Sequence, residues 1–206
     1  MACGPAASSP SALPVTAAPA GGRIVVLGDS LAVSPSRSDN FTRELQKRLD
    51  TAGRGWVITN AGVSGDTTSG GLARFDRDVP ADTRILILEL GANDGLRRIE
   101  ISRIEQNLSA LIERAQAREI RVLLCGMETP PSQGWTYTLD FHRLFPRVAD
   151  RYAIPMVPFL LAGVALDPEM NGEDGFHPNS AGARRIAETV WPYLEPLVLA
   201  PSAAAR

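Results

Sequence analysis

The sequence predicts a three-layer α/β/α sandwich around a five-stranded parallel sheet, and two observations carry that prediction. Short runs rich in Val, Ile and Leu alternate along the chain with longer stretches whose apolar residues recur at helical spacing. The short runs, of which Arg84–Leu90 (RILILEL) is the clearest, are apolar at consecutive positions, the mark of strands covered on both faces. With 206 residues, 44% of them hydrophobic, the chain can bury one sizeable core.

The elements follow in order. Residues 1–22 are almost entirely Ala, Pro, Ser and Gly, with no charge before Arg23, and are expected to form a flexible tether. The tether lacks the charged start and apolar run of a signal peptide. Its opening Met-Ala-Cys-Gly resembles the point at which a bacterial lipoprotein is cut and lipidated. Cys3 is therefore a candidate lipid anchor that would hold the protein outside the cytoplasm; an incidental cysteine in a cytoplasmic protein is the alternative. Arg23–Gly28 (RIVVLG) reads as the first strand, and Phe41, Leu45 and Leu49 mark one face of a helix from about Asp39 to Ala52. Trp56–Asn60 is the second strand and Arg84–Leu90 the third. Ile101, Ile104, Leu108, Leu111, Ile112 and Ala115 form the apolar stripe of a helix leading to the fourth strand, Ile120–Cys125. A helix from about Thr138 to Tyr152, a short fifth strand near Pro155–Phe159 and a last helix from Ser180 to about Leu194 complete one domain over residues 23–199. Residues 200–206 read as a frayed tail.

Composition removes several functions. With 21 basic against 23 acidic side chains and no Lys/Arg block, there is no electrostatic footprint for a nucleic acid. No run approaches the roughly 20 apolar residues that a bilayer span requires. Two cysteines, Cys3 and Cys125, cannot build a disulfide framework or a Cys-rich zinc site. The two histidines, His142 and His177, have no paired-carboxylate motif beside them, so neither a metal nor a cofactor is expected. Imidazole chemistry near neutral pH must fall to one of those two residues.

In an open α/β sheet, ligands bind beyond the carboxyl ends of the strands, so the residues just after each strand are the ones to read. There the chain carries Gly28-Asp29-Ser30-Leu31, then Gly62-Val63-Ser64-Gly65-Asp66-Thr67, then Gly91-Ala92-Asn93-Asp94-Gly95, and finally Asp174-Gly175-Phe176-His177-Pro178. Acyl transfer uses these residue types. A serine hydroxyl such as Ser30 becomes a nucleophile when a neutral imidazole removes its proton, and that imidazole needs its other nitrogen held in the right tautomer. His177 can be the base and Asp174, three residues earlier, the group that orients it. The Gly65 backbone N–H, the Asn93 side-chain amide and the Ser30 N–H can serve as oxyanion donors. Singly, each loop reads as a turn or helix cap. Together, four turns that supply a nucleophile, oxyanion donors, a base and its acid argue for a catalytic site, whose activity should rise with pH as the histidine loses its charge.

These four blocks resemble, in their order, those of the SGNH (GDSL) hydrolases. Asn60–Arg74 (NAGVSGDTTSGGLAR), Leu88–Arg97 (LELGANDGLR) and Asp174–Asn179 are similar to the bacterial acyl-CoA thioesterase I, lysophospholipase and arylesterase branch. The likeness runs from about Arg23 to Leu199. It implies a flavodoxin-like sheet, metal-free cleavage of carboxylic esters or thioesters through an acyl-serine, and the roles already read for Ser30, Gly65, Asn93, Asp174 and His177. The chain departs from the family after Leu31, where Ala-Val-Ser-Pro-Ser replaces the usual Thr/Ser-Ala-Gly run.

The loop Met127–Tyr137 (METPPSQGWTY) is also its own, and its Met127, Trp135 and Tyr137, with Leu31 and Phe176, are candidates for lining an acyl or aryl site; ordinary packing of a long loop is the alternative. A nucleotide fold lacks its G-x-G-x-x-G here, and an α/β-hydrolase lacks its G-x-S-x-G. An acyltransferase or carbohydrate O-deacetylase on the same site, and a non-catalytic lipid- or glycan-binding module, remain as alternatives. His142 reads as a structural or solvated residue and Cys125 as a buried small hydrophobe.

Overall fold

A computed structural model describes residues 21–200. The expected tether with Cys3 and the expected tail therefore lie, apart from Gly21, Gly22 and Ala200, outside the described residues. Gly22 already belongs to the first strand, and the Gly21 N–H donates to the Gly55 carbonyl at 2.9 Å.

Five strands, β1 (Gly22–Gly28), β2 (Trp56–Gly62), β3 (Thr83–Glu89), β4 (Arg121–Cys125) and β5 (Met156–Val157), pair in parallel in the order β2-β1-β3-β4-β5. The chain leaves β1 toward β2 and then returns to lay β3 on the other side of β1. Strand order reverses at β1/β3, and the crevice of such a sheet opens at that point, beyond the strand ends. Six helices cover the two faces: α1 (Phe41–Thr51), α2 (Thr68–Asp78), the short α3 (Ala92–Leu96), α4 (Ile101–Gln116), α5 (Trp135–Tyr152) and α6 (Ser180–Leu199). α1 packs on α6, while α2 packs on α4 and α4 on α5, so each face of the sheet has its own helical layer. Ile24–Leu27, Ile85–Leu88 and Leu123–Cys125 are buried at every position, as consecutive apolar residues in a doubly covered sheet must be. Burying each Leu or Ile of these strands contributes roughly 1.5–3 kcal/mol. Among the described residues no helix is long and apolar enough to cross a membrane.

Several elements differ from those the sequence predicts, and for four of them the physical reason is plain. α2 was not predicted because the face it buries carries Thr68, Gly71 and Arg74 beside Phe75, which hydrophobic periodicity does not register. α5 begins at Trp135, one turn early, because Gly134 at φ 95° breaks the chain direction after a 3-10 turn over Pro131–Gln133. Trp135 and Tyr137 consequently stand on a helix rather than in a loop. α6 continues through Pro192 and Pro196 to Leu199, since Leu194 and Val198 still reach the core. β5 shrinks to two residues because Pro155 and Pro158 on either side have no N–H for a ladder.

Candidate active site

At the end of β1, a Cβ on Gly28 would lie 2.2 Å from Glu89 Oε2, so the chain must be glycine there. The Asp29 N–H donates to that same oxygen at 3.0 Å. Asp29 Oδ1 accepts the Leu31 N–H at 2.9 Å, a side-chain turn that lifts Ser30 out of the sheet direction. The Ser34 hydroxyl donates to the Ser30 carbonyl at 2.7 Å, and Asn60 donates to the Ala32 carbonyl at 2.6 Å. Both bonds pin the turn from its far side.

The last loop is held as firmly. Asp174 Oδ1 accepts the N–H groups of Phe176 and His177 at 3.0 Å each, across Gly175 at φ 70°. Gly172 donates to the His177 carbonyl at 2.8 Å, and Asn179 caps α6 by accepting from the Ala181 and Gly182 N–H groups. Oδ2 of Asp174 remains for the imidazole, whose Nδ1 lies 2.5 Å away. His177 Nε2 lies 2.9 Å from Ser30 Oγ. The fold thus joins Ser30, His177 and Asp174 into one hydrogen-bonded chain from loops 147 positions apart.

The remaining loops supply donors. Asn93, in the first turn of α3, gives one side-chain N–H to Asp29 Oδ2 at 3.0 Å, leaving the other N–H. Among the described residues the backbone N–H groups of Ser30 and Gly65 meet no acceptor. Gly65 sits at φ 76° and its carbonyl accepts Arg97 Nη2 at 2.9 Å, while the Val63 N–H ties the same loop to the Gly28 carbonyl at 3.1 Å. Buried Asp94 accepts the Thr68 N–H at 2.9 Å and the Thr68 hydroxyl at 2.6 Å, which locks α3 onto the start of α2. Free donors beside a hydroxyl that is bonded to imidazole are what acyl transfer needs to hold a developing oxyanion.

The model of the GDSL-like Lipase/Acylhydrolase family matches residues 26–185. The chain belongs to that family. It is 39% identical over 181 residues to the Esterase TesA of Pseudomonas aeruginosa, covering 85% of this chain and 89% of that one. To the thioesterase 1/protease 1/lysophospholipase L1 of Escherichia coli strain K12 it is 32% identical over 178 residues, 85% of this chain and 84% of the other. Among solved structures, the psychrotrophic esterase EstA from Pseudoalteromonas sp., inhibited by monoethylphosphonate, is similar with a TM-score of 0.79 at 27% identity, over 85% of this chain and 97% of that one. The protein is an ester-hydrolysing enzyme of the GDSL type.

In this hydrolase the charges around Ser30 are set by contact and burial. The His177 imidazole, then the His177 and Phe176 N–H groups, hold the Asp174 carboxyl well below the usual range. Burial pushes Asp29 up to about 6 against the pull of the Leu31 and Asn93 donors. Glu89 beneath it is raised well above the ordinary range by burial and then by the Asp29 charge. Burial and Glu89 likewise raise the Cys125 thiol, a buried free cysteine. Among the described residues no three His, Cys, Asp or Glu side chains are grouped to hold a metal.

The five residues expected to line an acyl site are separated by the structure. Trp135 and Phe176 are exposed, at 73% and 64%. Tyr137 is half-buried, donating to the Ile99 carbonyl at 2.8 Å and stacking on Phe141. Leu31 and Met127 are buried within the apolar core. His142 lies on α5 with its Nδ1 2.6 Å from Glu128, in no contact with Ser30. Two acids of the site do not stand out in the sequence: Asp29, which holds Asn93, and Glu89 below it. The one available signal was Glu89 itself, the lone acid in an apolar strand.

Proposed function

We propose that this hydrolase cleaves acyl or aryl carboxylic esters or thioesters through an acyl-serine formed on Ser30. The observation that carries the reading is the continuous hydrogen-bonded chain Ser30 Oγ, His177, Asp174. In the first step His177 Nε2 takes the Ser30 proton as Oγ attacks the acyl carbonyl, and Asp174 stabilises the imidazolium that forms. The N–H groups of Ser30 and Gly65 and the free N–H of Asn93 hold the oxyanion. His177 then gives the proton to the leaving alcohol or thiol, and the acyl-serine remains. Water, deprotonated by the same imidazole, attacks the acyl carbon; collapse releases the acid and returns the proton to Ser30. Phe176, next to His177 in the last loop, and Trp135 are exposed apolar rings that this reading assigns to the acyl or aryl group. The extracytoplasmic location and lipid attachment at Cys3 belong to the same proposal and rest on the Met-Ala-Cys-Gly sequence.

The test is a panel of p-nitrophenyl esters and acyl-CoAs of graded chain length, run with and without an acceptor alcohol. The reading expects turnover with free acid as the main product. A predominance of the alcohol ester would make the enzyme a transferase. No turnover on any member, with no labelling of Ser30 by a fluorophosphonate, would leave a binding module.

A further inference from the structure

Arg74 is a buried guanidinium in α2 that reaches back to the catalytic end of the sheet. Its Nη2 donates to the Gly28 carbonyl at 2.8 Å, the last residue of β1 and two before Ser30. Its Nη1 donates to the Ala61 carbonyl at 2.6 Å, near the end of β2, and to Asp78 at 2.9 Å. Its Nε donates to Asp66 Oδ2 at 2.6 Å, the residue directly after Gly65. One planar group therefore grips the strand end that launches the nucleophile, the strand end that launches the second loop, and an acid inside that loop. The side chain is 8% exposed and its acid Asp66 12% exposed, so water does not compete freely for these bonds.

The neighbouring sequence makes room for the clamp. A Cβ on Gly70 would stand 1.8 Å from Asp66 Oδ1, and one on Gly71 would stand 2.2 Å from Leu90, so the glycine pair lets α2 seat close enough for the acid and the guanidinium to meet. Asp66 Oδ1 also accepts the Thr67 N–H at 2.9 Å, which fixes the turn leading into α2. Only arginine satisfies this set, because a lysine ammonium is a point charge without the fork needed to span two carbonyls and two carboxylates.

We infer that Arg74 is a positioning residue for the esterase reaction, setting the Gly65 N–H at a fixed distance from Ser30 by clamping the ends of β1 and β2 to Asp66. The inference rests on the assignment of Ser30 and Gly65 made above. A backbone N–H contributes to an oxyanion hole only when held at hydrogen-bond distance from the place where charge develops, so a loose second loop costs kcat more than KM.

The test is Arg74→Lys assayed on a short-chain p-nitrophenyl ester, with kcat expressed per serine titrated to completion by a fluorophosphonate. The inference expects kcat per titrated serine to fall at least tenfold with KM within about twofold of wild type. A merely structural arginine would lower the melting temperature and the titratable fraction and leave kcat per site unchanged, which would overturn the inference. Gly70→Ala is the second variant, should Arg74→Lys not fold: alanine favours the helix but drives a methyl into Asp66, leaving Arg74 in place. It too is expected to lower kcat per site, by at least threefold, and an unchanged kcat there would also overturn the inference. Ser30→Ala is run alongside. Full activity in Ser30→Ala would sink the functional reading itself, whereas a dead Ser30→Ala with an unimpaired Arg74→Lys would sink only the clamp.

Discussion

Asp29 and Asn93, 64 positions apart, meet at 3.0 Å through a single hydrogen bond that ties the third loop to the residue before Ser30. Asp29 is an acceptor on both sides, for Asn93 through Oδ2 and for Leu31 through Oδ1. An asparagine in its place would turn one of those oxygens into a donor facing a donor.

Asn93→Ala is therefore expected to lower kcat by on the order of 10²–10³, the range for losing one oxyanion donor. Asp29→Asn, which leaves the donor present but misdirected, is expected to lower it by roughly tenfold. Steady-state kinetics on a p-nitrophenyl ester checks both. Wild-type kcat in Asn93→Ala would remove that residue from the oxyanion hole.

The buried acids give a pH signature. Burial raises Glu89 well above its ordinary value, so in the range just above that value the native state binds a proton that the unfolded chain has lost. Its contribution to stability therefore falls as pH rises above about 4.5, the ordinary glutamate value, and Asp29 acts in the same direction between 3.8 and about 6. Glu89→Gln retains an oxygen for the Asp29 N–H and removes the titration. Its melting temperature relative to wild type should climb from pH 4.5 to pH 7. Thermal denaturation across that range is the measurement, and a difference that stays constant with pH contradicts the account.

The two histidines separate cleanly. His177→Ala should abolish turnover, and His142→Ala, which removes a surface partner of Glu128, should retain it. Asp174→Asn should cost on the order of 10⁴ in kcat, since an amide holds the imidazole in the wrong tautomer and cannot support the imidazolium. The opposite ranking of the two histidine variants would overturn the triad.

The apolar residues expected to line the acyl site divide by exposure. Met127→Ala is expected to cost about 2–5 kcal/mol of stability, because the side chain is buried in the core. Trp135→Ala should leave stability unchanged within about 0.5 kcal/mol, since the ring is exposed, and should raise KM for long-chain more than for short-chain esters. Chemical denaturation and a chain-length series check the pair. Equal KM shifts for all chain lengths would take Trp135 out of the acyl-binding surface.

Much of this arrangement was legible in the sequence because it lies at strand ends. The runs RIVVLG, RILILEL and IRVLLC announce strands buried on both faces, and family blocks follow the first and third strands directly. What periodicity does not see is polar burial. α2 hides Arg74 and Thr68 rather than leucines, so neither the helix nor its grip on Asp66 stands out in an apolar pattern. Asp29 and Glu89 do not stand out in the sequence for the same reason: a buried acid declares its role only when its partners, Asn93 and the Asp29 N–H, are placed in space. The lining residues were the hardest to read, because Met127 and Trp135 share one apolar segment yet end, respectively, inside the core and in solvent.

The central claim is that His177 activates Ser30 as the acyl-carrying nucleophile. Intact-mass and peptide-mapping analysis of the enzyme after brief exposure to a fluorophosphonate tests it most directly, with His177→Ala and Ser30→Ala treated in parallel. The account predicts one adduct, on the peptide bearing Ser30, formed rapidly in the wild type, at a strongly reduced rate in His177→Ala and not at all in Ser30→Ala. An adduct on another residue, such as Ser34 or Ser64, or labelling of Ser30 that proceeds equally fast without His177, would contradict it.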